Sequence, residues 1–215
     1  MVIDLSKESS VINEYMAELR DTQIQKDSMR FRTNLERLGM LVGYEISKRL
    51  EYETREVTTP LGIANVPCVK NQPVVATILR AGMPLHYGVL RILDKAENAF
   101  ISAYRKHHKD GSFDVHVEYL ACPDVNNKEL VLCDPMLATG TSMLLAYQAI
   151  LRHGKPKHIH VLSVIASLEG VNYIKKHLPE NTTIWCCAID DELTAQSYIV
   201  PGLGDAGDLA FGEKL

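Results

Sequence analysis

A chain of 215 residues with 46% hydrophobic residues and a net charge of −4 at pH 7 has room for one sizeable α/β domain, and its charge gives no global footprint for nucleic acid. No apolar run reaches membrane-spanning length, and the first residues lack the basic and apolar regions of a secretory signal. The five cysteines, Cys68, Cys122, Cys133, Cys186 and Cys187, form no Cys-x-x-Cys pair and read as reduced residues of a cytoplasmic protein.

In chain order, residues 9–20 and 27–49 read as helices, joined by a polar linker at 21–26. Gly39 and Gly43 weaken the second helical pattern. This part does not alternate strand and helix, so it is expected to cap a sheet rather than join it. Residues 56–59 and 63–69 flank Thr-Pro-Leu-Gly, with Pro60 in the second place of a type I turn and Gly62 in the last. They read as a β-hairpin that either joins the core or projects as an arm onto a neighbouring subunit. Residues 73–79 form an apolar strand ending at Arg80-Ala81-Gly82. A helix follows to about residue 93, with Pro84 at its first position.

A third strand, 98–104, runs into the basic segment 105–111, which contains His107 and His108. A charge run is ordinarily a solvated turn. Arg105, however, directly follows a strand end, where open α/β sheets bind ligands. Residues 113–120 alternate and suit an edge strand or flap. Beyond residue 129 come strand 130–133, a helix to His153-Gly154, strand 159–166, helix 169–177 and strand 183–189. His158 and His160 share a strand face, but nothing nearby in sequence completes a metal-ligand set. The last segment, 198–208, is rich in glycine and acids yet interleaved with apolar residues, which suggests an ordered loop offering main-chain donors and acceptors. The alternation from 73 to 189 implies an α/β fold: a mostly parallel twisted sheet flanked by helices. The chain divides into N-terminal helices and hairpin (1–70), core sheet (71–189) and C-terminal segment (190–215) of a single domain.

Chemistry concentrates at 129–142. An apolar strand ends at Asp134, and Pro135 stops it from continuing in mid-sheet. Met136, Leu137, Ala138, Thr139, Gly140, Thr141 and Ser142 then lead into a helix. Free N–H groups and the positive dipole end of a helix start suit a phosphate, and glycine lets the backbone come close. There is no lysine after Gly140 as in a Walker loop, and no Gly-x-Gly-x-x-Gly. An ordinary buried strand-turn-helix is the bland alternative. Cys133 beside the loop reads as a packed strand residue rather than a nucleophile.

This stretch resembles the phosphoribosyl-diphosphate motif of type I phosphoribosyltransferases. Those enzymes usually carry two adjacent acids. Pro135 in the second place resembles the uracil phosphoribosyltransferase branch. Ile78-Leu79-Arg80-Ala81-Gly82, Tyr104-Arg105 and the segment from Tyr198 to Gly212, with Pro-Gly-Leu-Gly-Asp-Ala-Gly-Asp, are similar to that branch in order and approximate spacing. The resemblance implies that Arg80 and Arg105 contact the diphosphate side of the donor and that Asp134, Pro135 and 136–142 hold the ribose 5-phosphate. It implies that Ile199, Gly204, Asp205 and Ala206 bind uracil, with Asp205 also reaching the donor. Arg105, Asp134 and Asp205 would then carry catalysis. Mg²⁺ would arrive mainly through the donor diphosphate, with no confident ligand on the protein. A homodimer or larger homo-oligomer is expected, with no nucleic-acid or membrane partner. Thr141 stands where a second glycine is frequent, and the basic loop after Arg105 departs from the bacterial pattern. The rivals are transfer to another base and a donor-sensing regulator without catalysis. Intact Arg80, Asp134 and Asp205 argue against the second.

Overall fold

The two N-terminal helices start at polar caps. In the computed structural model, which describes residues 1–107 and 113–213 and only the backbone of 103–107 and 113–117, Ser10 accepts from the Ile12 N–H at 3.3 Å at the head of α1 (Val11–Arg20). Asp27 accepts from the Met29 and Arg30 N–H groups, both at 3.0 Å, at the head of α2 (Ser28–Ser47). Such a cap satisfies amides that have no partner within the helix and contributes about 1 kcal/mol. The linker between the helices contains a short 3₁₀ turn at Ile24–Lys26. Gly39 belongs to α2 for a packing reason. A Cβ there would stand 2.2 Å from the Leu85 carbonyl oxygen, and one on Gly88 would stand 2.0 Å from that of Glu36. Helix α3 (Met83–Ile92) therefore crosses α2 backbone against backbone.

The main sheet runs β1 (Val2–Asp4), β10 (Thr182–Asp190), β9 (His158–Ser167), β7 (Glu129–Cys133), β4 (Val74–Leu79), β5 (Glu97–His107) and β6 (Phe113–Ala121), with β8 (Met136–Leu137) alongside β9. All pairings are parallel except β5 with β6. The central strands are buried along nearly all their length, which is why they read as continuous apolar runs. Helices α1, α2 and α3 cover one face through Leu19, Leu38 and Val89, packed with Trp185. On the other face α4 (Thr141–Ile150) and α5 (Leu168–His177) bury Met143 and Ile174 with Leu130.

Two expectations change. The N-terminal part does contribute to the sheet, because β1 pairs with β10 along Val2–Asp4. Strand β5 runs on to His107, so Tyr104 and Arg105 lie inside a strand, paired with His116 and Val115, and not at a strand end. Residues 108–111 of the basic segment, with His108, lie outside the described residues. Strands β2 (Tyr52–Thr59) and β3 (Gly62–Val69) form a hairpin of their own; among the described residues they pair only with each other. A second two-stranded sheet joins β11 (Glu192–Leu193) to β12 (Ile199–Val200). Helix α6 (Ala206–Phe211) closes the described chain. Among the described residues no helix is long and apolar enough to cross a membrane.

Candidate active site

Beyond β7 the chain steps out of the sheet for two residues and then returns. The Asp134 N–H donates to the Leu162 carbonyl at 3.1 Å, and the Pro135 carbonyl accepts from Val164 at 3.1 Å and Ile165 at 2.9 Å. Pro135 therefore interrupts the strand without ending it: Met136 and Leu137 pair with Ile165 and Ala166. A proline lacks the N–H a ladder needs, and here only its carbonyl is used. The Asp134 carboxylate is held between these anchors, and its Oδ1 accepts from the Met136 N–H at 3.3 Å.

Ser167 fixes the rest of the loop. Its Oγ donates to the Ala138 carbonyl at 2.6 Å and accepts the Gly170 N–H at 2.9 Å. Gly140 then turns the chain at φ +82°, and α4 begins without a side-chain cap. The first-turn amides of α4 have no partner within the helix. Around them lies a hollow lined by Asp134, Leu137, Ala138, Thr139, Gly140 and Ser142. The Thr141 N–H turns to Thr139 Oγ1 at 3.4 Å, and a helix start with no side chain at its N-cap, beside an acid, has the geometry and the field to hold a phosphate on a polyhydroxylated group.

Two other stretches meet this loop. Arg80 directly follows β4; its Nη2 donates to the Gly212 carbonyl at 3.2 Å and lies 3.5 Å from Asp208 Oδ1. The Ala206 N–H lies 3.5 Å from Met136 Sδ, and a Cβ on Gly207 would come 3.9 Å from that of Ala81. Arg80, the 134–142 loop and the head of α6 thus share one end of the sheet. Asp205 caps α6, its Oδ1 accepting from Gly207 at 2.8 Å and Asp208 at 3.0 Å. Ile199 is buried in β12 opposite Leu193, Ala206 is buried, and Gly204 sits at φ +89°. Arg105 lies three positions past Ser102, the last β5 residue paired with Leu79 of β4, in the β5–β6 ribbon that continues beyond it.

Other candidates resolve into packing. Cys133 is fully buried, and burial together with the neighbouring Asp134 charge pushes its thiol far above the ordinary range, so no thiolate forms there. Burial likewise pushes Cys187 up to about 12. The Trp185 indole N–H donates to His160 Nδ1 at 3.2 Å, which leaves the ring proton on Nε2, 3.2 Å from Glu129 Oε2. His158 lies beside it, ring centroids 4.7 Å apart, and burial followed by the His160 neighbour depresses its pKa. Among the described residues no group of three or more His, Cys, Asp or Glu is arranged to hold a metal ion. Sequence reasoning passed over Ser167, Asp190 and Arg20. Asp190 carried the same signal as Asp134, an acid closing an apolar strand. Arg20 carried none.

The family described as uracil phosphoribosyltransferase matches residues 6–213. A uracil phosphoribosyltransferase of Porphyromonas gingivalis is 55% identical over 214 residues, spanning 100% of this chain and 99% of the relative. One from Thermococcus gammatolerans is 38% identical over 212 residues, spanning 97% and 92%. Among solved structures, the AQ2163 protein of Aquifex aeolicus superimposes with a TM-score of 0.87 at 29% identity, over 99% of this chain and 98% of that one. A hypoxanthine phosphoribosyltransferase of Staphylococcus aureus, at TM-score 0.50 and 13% identity over 86% and 83%, shares the fold alone. The likeness in sequence runs the length of the chain and includes the strand-acid-loop and the C-terminal segment just described, and the chain belongs to the uracil phosphoribosyltransferase family.

Proposed function

We propose that this chain transfers the phosphoribosyl group of 5-phosphoribosyl 1-diphosphate to uracil, giving UMP and diphosphate. The observation that supports it most is the meeting of the 134–142 loop, Arg80 and the head of α6 at one end of the sheet, in a member of this family. In the reaction the anomeric carbon loses its bond to diphosphate oxygen and gains one to the base nitrogen, which gives up its proton. The sugar passes through an oxocarbenium-like state, as in other glycosyl transfers, and no protein nucleophile is required. The work of the protein is positioning and charge. The 134–142 loop holds the 5-phosphate and Asp134 the ribose. Arg80 and Arg105 neutralise the departing diphosphate, and Asp205 stands toward the cationic sugar and the base.

Mg²⁺ fits such a site as a passenger of the donor. It commonly keeps several waters and binds through one or two carboxylates and substrate phosphates, and the separate carboxylates of Asp134 and Asp205 suit that better than a cage of protein ligands. When bound it would add positive charge to the leaving group. We read the chain as a single cytoplasmic domain that works as a homo-oligomer.

The base is read by the main chain from Ile199 to Ala206. Along one edge uracil presents an acceptor, a donor and an acceptor. Cytosine reverses two of these, leaving buried polar atoms unpaired at about 1–3 kcal/mol each. A site built on hydrogen bonds therefore rejects it by a factor of ~10⁴. Initial rates with uracil, 5-fluorouracil, cytosine and hypoxanthine at saturating donor test this. Uracil and 5-fluorouracil are expected to turn over and the other two to fail. Equal rates with cytosine or hypoxanthine would assign the chain to another base, and no turnover of any base would make it a donor-binding regulator.

A further inference from the structure

The segment from Ile199 to Ala206 has almost no regular structure, yet its middle is gripped from outside. Asp190, the last residue of β10, takes two hydrogen bonds from Arg20 at the end of α1: Nη2 to Oδ1 and Nη1 to Oδ2, each 2.8 Å. The same pair holds both main-chain groups of Gly202. The Gly202 N–H donates to Asp190 Oδ2 at 2.8 Å, and the Gly202 carbonyl accepts from Arg20 Nη1 at 2.9 Å. The Asp190 side chain is 8% exposed and that of Arg20 26%, so water competes weakly for these bonds. Burial disfavours the ionised carboxyl of Asp190, but the Arg20 hydrogen bonds and the Gly202 N–H outweigh it and keep its pKa below the ordinary value.

The anchor also has a fixed relation to the phosphate loop. Asp190 stands opposite Ser167 across the β10–β9 pairing. Ser167 is the residue whose hydroxyl holds Ala138. One rung of the sheet therefore carries the ties to both the donor loop and the C-terminal segment. The other end of the tie is equally firm. Leu19, next to Arg20, is fully buried, and its carbonyl accepts from Gln25 Nε2 at 3.0 Å.

We propose that the Arg20–Asp190 pair is a positioning device for base recognition, setting Gly202 and through it the main-chain groups between Ile199 and Ala206 that read the pyrimidine edge. This rests on the reading of that segment as the base site. A bidentate guanidinium matters because one fork must satisfy a carboxylate and a peptide carbonyl together, which the point charge of a lysine does only in part.

The test is steady-state kinetics on Arg20→Gln, Arg20→Lys and Asp190→Asn, with melting temperatures and calorimetric donor binding in the absence of base. Losing the grip on a loop that must hold geometry to a fraction of an ångström is expected to raise KM for uracil about tenfold or more. The preference for uracil over cytosine should fall by a similar factor, donor affinity should stay at the wild-type value, and Arg20→Lys should recover part of the loss. If Asp190→Asn does not fold at the assay temperature, Arg20→Lys and Arg20→Gln decide the matter. Folded variants with unchanged uracil KM would overturn the proposal. So would loss of donor affinity in step with uracil affinity, because that describes general loosening. Gly204→Ala and Ala206→Ser separate the two readings. If they raise uracil KM while the Arg20 and Asp190 variants do not, the positioning inference fails alone; if none of the five changes it, the base site lies elsewhere and both readings fall.

Discussion

Three aspartates stand at this end of the sheet, two where strands stop and one where a helix starts, and their partners give them different work. Asp190 is committed to Arg20 and Gly202, Asp205 caps α6, and Asp134 lies on the wall of the hollow at the head of α4. The Asp134→Asn change keeps shape and an acceptor for Met136 but removes the charge. It should weaken donor binding or turnover by about 1.5–3 kcal/mol, as loss of a charged hydrogen bond does, with the fold intact. Kinetics at limiting donor check this, and wild-type values there would remove Asp134 from the donor site. Arg105→Ala should depress kcat more than it weakens uracil binding, with Arg105→Lys intermediate; activity equal to wild type would make it a ribbon residue and no more. For Asp190 the sign follows from its depressed pKa. Its contribution to stability is present above the ordinary value near 3.8 and is lost as the pH falls through the lower folded value. Chemical denaturation of wild type and Asp190→Asn at stepped pH should show a constant gap at neutral pH that narrows in acid below that ordinary value.

Among the elements, the turn into α4 is the one where a constrained backbone meets the proposed phosphate site. Gly140 at φ +82° is left-handed, and a Cβ there would stand 2.9 Å from Tyr173 Cδ1. Gly140→Ala should cost about 1–2 kcal/mol from the backbone alone. It should also tilt the first-turn amides, so donor affinity falls while α4 persists by circular dichroism. This turn was legible in the sequence because a strand, an acid, small residues and a helix pattern follow without a gap. So were β4, β7, β9 and β10, whose burial on both faces leaves unbroken apolar runs. What escaped was structure made by partners. Strand β1 is three residues long and exists through Val2–Asp4 lying beside β10. Strand β8 hides behind Pro135, and the end of β5 hides in a basic run whose pairing with β6 no local pattern announces. Gly39 looked like a weakness of α2, since its reason is the Leu85 carbonyl of another helix. The Arg20–Asp190 tie joins residues 170 apart, beyond any periodicity.

In the whole molecule the hairpin arm stands apart from the main sheet. Its strands pair along their full length, yet β2 is exposed throughout, and the tip carries Leu61 at 100% and Ile63 at 69% exposure, while the exposed Val57 and Val66 lie on the face opposite Ile63. A hairpin alone in water is marginal, and adjoining exposed aliphatic side chains mark contact surfaces. A second copy is the partner that fits the proposed homo-oligomer, and two-fold symmetry would repeat the arm contact, one arm from each protomer. Burying Leu61 and Ile63 from both arms, at roughly 1.5–3 kcal/mol per side chain, would contribute about 6 kcal/mol or more to association. The double substitution Leu61→Asp, Ile63→Asp should therefore release protomers at concentrations where the wild type stays assembled. The core, which the arm meets at its base through Val69 and not at its tip, should keep its secondary structure. Sedimentation over a concentration series measures this directly. A monomeric wild type, or a double variant that assembles as tightly as wild type, would remove the arm from the interface and leave its exposed tip for some other contact.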